Sequence, residues 1–327
     1  LSTIDGGERN IASGIYGTIG GGDFNVASNL GSTVGGGGDN TASGSRSTVS
    51  GGRTNTASND DSTVSGGAQN TASGLRSIVG GGEVNAASGT RSTVSGGIFN
   101  VASGGESTVG GGGDNTASGL SSTSGGGQGN TASGTSSTVS GGQVNTASGI
   151  LSTVGGGQFN CAGGAFSWAG GYLAKVRPGT GSGGAGVACS GVPGSANTDG
   201  DNGTFVWADS QGASLVSTGP NRFLIRAQGG IWFGTDSAPA IPAGRFINTS
   251  TGAHLTTGGT WTNASSRALK TAFEAVDMAE VLARVLTLPL SRWQYRDSPA
   301  EGVHLGPVAE DFHAAFGLGA DGRAVSY

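Results

Sequence analysis

A serine hydroxyl attacks a carbonyl only when a neighbouring base removes its proton. Ser265 and Lys270 supply those two residue types five positions apart, although in a chain this rich in serine the spacing alone carries no weight. The carboxylates offer less. Asp39, Asp60, Asp61 and Glu83 are scattered along the chain and make no aligned pair at the separation a glycosidase needs. Two cysteines, Cys161 and Cys189, provide no metal cluster and at most one bridge. We therefore expect no cofactor and no bound metal. With 16 basic and 21 acidic residues, the net charge of −5 gives no concentrated basic face, so nucleic acid is not an expected partner. No apolar run approaches the roughly 18 residues of a membrane-spanning helix. Because position 1 is Leu, the expectation is a processed or internal segment.

Most of the chain is built to position rather than to react. Glycine accounts for 69 of 327 residues, and its arrangement decides what that means. Asparagine recurs at 10, 25, 40, 55, 70, 85, 100, 115, 130, 145 and 160, a strict interval of 15. The unit is S-T-V-[SG]-G-G-x-x-N-x-A-S-G-x-x, as in Ser47-Thr48-Val49 through Asn55, Ala57 and Ser58. Variation falls in two dipeptide slots, the pair before each Asn (Asp23-Phe24, Ile98-Phe99) and the pair before the Ser of the next unit (Asp60-Asp61, Leu75-Arg76), where Ile15-Tyr16 is followed by Gly17 instead. Fifteen residues suffice for two short strands and two tight turns, one coil of a β-roll or β-helix, with glycine beside each variable pair supplying positive φ. Stacked coils would line up ladders of Val, Ala and Asn, the asparagine amides bonding to one another or to turn backbone in the next coil. Eleven such coils span about 50 Å. One coil buries about one Val and one Ala, too little apolar surface to offset the ordering of fifteen glycine-rich residues, so we expect a homo-oligomer, a trimer being natural for a fibre.

The fold expected is mainly β, in three parts. A 15-residue-repeat solenoid of eleven coils occupies 1–176, closed by a bulkier cap at Phe166 to Tyr172, with Lys175 in the next asparagine slot. A Gly/Ser-rich loop and a β neck occupy 177–260, with strands at Thr204–Ala208, Arg222–Ala227 and Gly230–Phe233. A small α+β region occupies 261–327. There Asp277 and Glu280 form a capping pair for a helix from Met278 to Leu288 that Pro289 ends, and Leu290–Tyr295 alternates as a strand. A second helix runs from Pro307 to Phe316, with Gly317 as its stop.

The repeat resembles the head repeats of trimeric autotransporter adhesins and related phage and bacterial fibres, whose rhythm is usually one residue shorter. That resemblance implies a trimeric parallel β-roll. Phe205-Val206-Trp207-Ala208-Asp209-Ser210 and the run from Ser217 to Gly230 resemble a segment that follows such repeats in fibre proteins. The C-terminal part resembles the intramolecular chaperone domain of the S74 peptidase family, through Ser265-Ser266-Arg267-Ala268-Leu269-Lys270, Trp293-Gln294-Tyr295 and His304-Leu305-Gly306-Pro307-Val308-Ala309-Glu310-Asp311-Phe312. This second resemblance implies that the segment helps three chains assemble and then releases itself, with Ser265 as nucleophile, Lys270 as base and Ala264-Ser265 as the bond cut. Such a lysine serves as base only where burial lowers its pKa, which the assembled trimer would provide. Ser266 stands where the family has an acid, and the resemblance implies further helices after Tyr327. His304 reads as structural.

Three functions fit these observations. The first is a structural or adhesive trimeric fibre, extracellular, at a cell surface or on a virion, that binds a receptor or glycan through exposed corner residues such as Phe24, Phe99, Arg76 and Arg91. The second is a glycan-degrading tail spike. The third is a solenoid that binds ice through its regular hydroxyls. The first accounts for every segment.

Overall fold

The computed structural model describes residues 1–180, 189, 191–234, 241–250, 252–263, 267, 270–297, 300 and 302–318. The chain divides into two compact units, Leu1–Gly230 and Ile231–Tyr327.

The first unit is a parallel β-solenoid. Each repeat contributes two two-residue strands, a Thr-Val strand such as Thr48–Val49 and a Thr-Ala strand such as Thr56–Ala57. Strands of one type pair only with their own kind in adjacent coils, one repeat apart: Thr48 with Thr63 and Val49 with Val64, Thr56 with Thr71 and Ala57 with Ala72. Two parallel sheets result, one of 14 strands and one of 13. Alternation along each strand turns Val49 and Ala57 inward, both fully buried, and leaves Thr48 and Thr56 half-buried on the outer faces. The columns Val34 to Val109 and Ala27 to Ala117 form one continuous core within a single chain, so protecting the valines from water requires no neighbouring chain.

The asparagine ladder takes both routes expected of it. Asn70 donates from Nδ2 to the carbonyls of Gly66, in its own coil, and Gly82, in the next, at 2.9 and 2.8 Å. Its Oδ1 accepts the backbone N–H of Asn85 at 3.0 Å. The pattern repeats from Asn25 to Asn160, each member buried, so a polar column runs through a thin core with its hydrogen bonds satisfied.

Positive φ is divided between glycine and the variable slots. Gly67 has φ of 86°, and a Cβ there would lie 2.1 Å from the Gly82 carbonyl oxygen, which explains the invariance of that position. The second residue of each variable pair is also left-handed, including the β-branched Thr54 and Val84 at φ 60° and 55°. Stacking holds them there: the Thr54 N–H donates to Gly38 O of the preceding coil at 2.9 Å, and Val84 N–H to Ala68 O at 3.0 Å. Coil-to-coil hydrogen bonds thus offset a conformation that β-branched residues avoid.

One residue breaks the core chemistry. Ser124 occupies the valine column between Val109 and Val139, fully buried and with its hydroxyl unpartnered. Ser124→Val matches both neighbours and removes an orphaned donor, so it is expected to raise stability by about 1–2 kcal/mol, as read by urea denaturation.

The end of the repeat differs from the sequence expectation in two ways: Phe166 to Tyr172 is not a terminal cap, since Trp168–Tyr172 pairs onward with Phe205–Ala208, and one slot is filled by a different residue. The register shifts between Val154 and Gly156, pairing Gly156 with Gly170. Cys161 therefore faces Lys175, and Ala174, not Lys175, continues the asparagine slot, its N–H donating to Asn160 Oδ1 at 2.9 Å. The coil is one residue shorter there. Lys175 points outward instead and is 7% exposed, and burial pushes its ammonium pKa down.

Beyond it, Phe205–Ala208 and Phe223–Arg226 extend the Thr-Val sheet, and Leu215–Val216 extends the other. Between them the chain is pinned to the solenoid at two places. Cys161 and Cys189 form a disulfide, Cα to Cα 5.7 Å. Arg177 grips the buried Asp201 carboxylate through Nε and Nη2 at 2.8 and 3.0 Å. Burial pushes the Asp201 carboxyl up, but hydrogen bonds from Arg177 and Ser217 and the guanidinium charge more than reverse it, so its pKa lies below the ordinary carboxylate value.

The second unit holds a four-stranded sheet, Ile231–Phe233, Arg245–Thr249, His254–Thr256 and Trp261–Thr262, a two-stranded hairpin and two helices. Helix α1 is Met278–Thr287, capped by Asp277, whose Oδ1 accepts the Ala279 N–H at 2.8 Å. Helix α2 is Ala309–Phe316, closed by left-handed Gly317 as expected. It starts two residues after Pro307, because Val308 is still extended.

Candidate functional site

Of the two residues expected to carry chemistry, Ser265 lies outside the described residues, as do Ala264, Ser266, Ala268 and Leu269. Lys270 is exposed in the single chain. Its backbone N–H donates to Arg267 O at 3.2 Å. The Arg267 guanidinium stacks over the Phe273 ring, 4.4 Å from its centroid, and ties the start of the segment to the chain that leads to α1.

The hairpin of Ser291–Trp293 and His304–Gly306 brings three aromatic groups together. His304 stacks on Trp293, its cross-strand partner, with centroids 4.6 Å apart, and Tyr295 packs edge-on to both. The alternating Trp293-Gln294-Tyr295 signals one strand of this cluster in the sequence, whereas the short partner strand His304–Gly306 carries no alternation of its own. His304 is a packing element of the hairpin here.

The two helices face each other across an open, mainly apolar groove of about 610 Å³ lined by Val281, Val285, Phe312, Phe316 and Leu318, among others. Arg284 ties them, its Nη1 donating to Ala315 O at 2.7 Å, while also pairing with Glu280 one turn back. Neither helix has a buried residue; Met278, Leu282 and Leu286 are 74%, 58% and 78% exposed.

On the solenoid, the corner residues with binding potential divide into two kinds. The arginines are used between coils. Arg46 and Arg76 flank Asp61 at 2.7 and 3.7 Å, and Arg91 pairs with Glu106. The hydrogen bond from Arg46 holds the Asp61 carboxyl below its ordinary range. Being exposed, such pairs contribute little to stability. The corner aromatics remain open: Phe24 is 44% and Phe99 53% exposed, although Arg9 lies 4.7 Å over the Phe24 ring. Among the described residues, no group of three or more His, Cys, Asp or Glu is placed to hold a metal, and no helix is long and apolar enough to cross a membrane.

No curated protein matches the sequence. A family model does: the segment from residue 265 to 317, which follows the solenoid and contains both helices and the aromatic hairpin, matches the S74 peptidase family, the chaperone of endosialidase.

Proposed function

We propose that this chain is a structural strut of a homotrimeric fibre, exposed on a virion or cell surface, which contacts a receptor or glycan through its corners. Its C-terminal segment assists assembly and then severs itself at Ala264-Ser265. The observation that carries this reading is the order of parts, a β-solenoid with its own closed core followed by a segment matching the chaperone of endosialidase. A solenoid of parallel coils is dominated by pairings that must form in one register, which gives an assembly chaperone a task. The open groove and apolar helix faces beyond residue 275 suit a segment that functions among neighbouring chains.

In the proposed cleavage, the Ser265 oxygen attacks the Ala264 carbonyl carbon while Lys270 takes the hydroxyl proton. The peptide C–N bond then breaks, the nitrogen gains a proton and an ester forms, which water hydrolyses to the Ala264 carboxylate and a free Ser265 amine and hydroxyl. Lys270 is exposed in one chain, so its conversion to a base is assigned to burial by the other two, which would couple cutting to assembly.

Sedimentation equilibrium tests the assembly. Three protomers are expected, and a stable monomer at micromolar concentration would refute the fibre reading.

A further inference from the structure

We infer that the chains of the trimer proposed above meet through the outer face of the Thr-Val sheet, with further copies of this chain as its occupants. The inference rests on the trimer reading and adds which surface makes it.

The charge pattern leaves only the two sheet faces as extended neutral surfaces. From Glu8 to Asp114, every charged side chain sits in a corner slot, in the variable pairs before Asn or before Ser. The two faces differ in what else covers them. Toward its C-terminal end the Thr-Ala sheet is covered by its own chain: Cys189 is bonded to Cys161 and lies 4.0 Å from the Ser148 hydroxyl. Ser133, Ser148 and Lys175 are 8%, 2% and 7% exposed, whereas the equivalent Ser118 is exposed. A contact running the length of the solenoid cannot pass there.

Among the described residues of the first unit, nothing comparable covers the Thr-Val sheet. Its outward column is threonine in every coil from Thr3 to Thr153 except for Ile78, which is 44% exposed. The next outward slot is Gly or Ser from Gly20 to Gly155, so beside the threonine column, broken only by Ile78, the face is low and another backbone can approach closely. The same column then turns aromatic. Trp168, Phe205 and Phe223 stack at 4.4 and 4.9 Å, and Phe223 is left 72% exposed. Such columns of identical side chains on a flat face suit dry, interdigitated contact.

The area is sufficient. The 14 strands, spaced about 4.8 Å apart, make a face about 60 Å long, and a strip about 10 Å wide, shared between two neighbours, buries roughly 600 Å² of each chain and about 1,800 Å² over the trimer, the size of one specific interface taken over the whole assembly. Three such faces around a common axis place identical residues at the same height.

Cysteine crosslinking tests the assignment. Thr63→Cys and Thr108→Cys sit on the Thr-Val face. Thr71→Cys and Thr116→Cys sit at similar heights on the other sheet and are likewise half-buried. Under mild oxidation or with a short bis-maleimide, the first pair of variants is expected to give covalent dimers holding up to about two thirds of the chains, since threefold symmetry leaves one cysteine over. The second pair should behave as the wild type, whose two cysteines are joined within the chain. Phe223→Glu should shift the assembly toward monomers. Dimers from Thr71→Cys with none from Thr63→Cys, in a protein that still sediments as a trimer, would overturn the face assignment alone. A monomeric wild type would overturn the trimer reading with it.

Discussion

Asn70→Ala is expected to lower the unfolding free energy by about 2–4 kcal/mol, a large loss against the stability of a typical domain. The substitution removes the acceptor of the Asn85 N–H and the donor that Gly66 O receives. Gly82 O keeps its bond from the Ala68 N–H. The Asn85 N–H is left buried and unpaired, at a cost of about 1–3 kcal/mol, and the half-buried Gly66 carbonyl adds less than that. Asn70→Asp separates the two roles. It preserves an acceptor for Asn85 but sets a negative charge against the Gly66 and Gly82 carbonyls, so it should be at least as damaging near neutral pH. Urea denaturation followed by circular dichroism reads both variants. A loss below about 0.5 kcal/mol, the range of ordinary surface changes, would show that the ladder is an accompaniment of stacking rather than its cause.

Loss of self-cleavage is the second large effect expected. In the product of the complete reading frame, Ser265→Ala should leave the chain uncut, because no other hydroxyl replaces the attacking oxygen at that bond. Lys270→Ala should slow cutting by about 100-fold or more, the usual contribution of a positioned general base, while trimers still form. Electrophoresis over time separates these outcomes. Undiminished cutting in Ser265→Ala, or cutting at a different bond, would refute the assignment.

The solenoid was legible because a repeat exposes its own structure: a slot that is Asn eleven times must meet itself in the next coil, and the ladder from Asn10 to Asn160 does so. What escaped the sequence reading depends on context that a period does not carry. Thr54 and Val84 take left-handed backbone because hydrogen bonds from adjacent coils hold them, against their own preference. The shift at Gly156 removes one residue, which a count of fifteen cannot register, and so Lys175 was assigned the slot that Ala174 fills. Pairing of Phe205–Ala208 and Phe223–Arg226 with the repeat sheet follows from a connection of irregular length, which erases the period while the sheet continues. In the C-terminal segment the helix caps were legible, since Asp277 and Gly317 act locally. The aromatic hairpin was half legible, because Trp293 alternates visibly while its partner His304 is eleven residues away.

Native mass spectrometry of the purified product of the complete reading frame tests the central claim most directly, because one spectrum reports both stoichiometry and the cut. The expected species is three chains, each ending at Ala264, with the separated fragment beginning at Ser265. Single chains, or trimers in which every chain still continues past Ala264 after prolonged incubation, would contradict it.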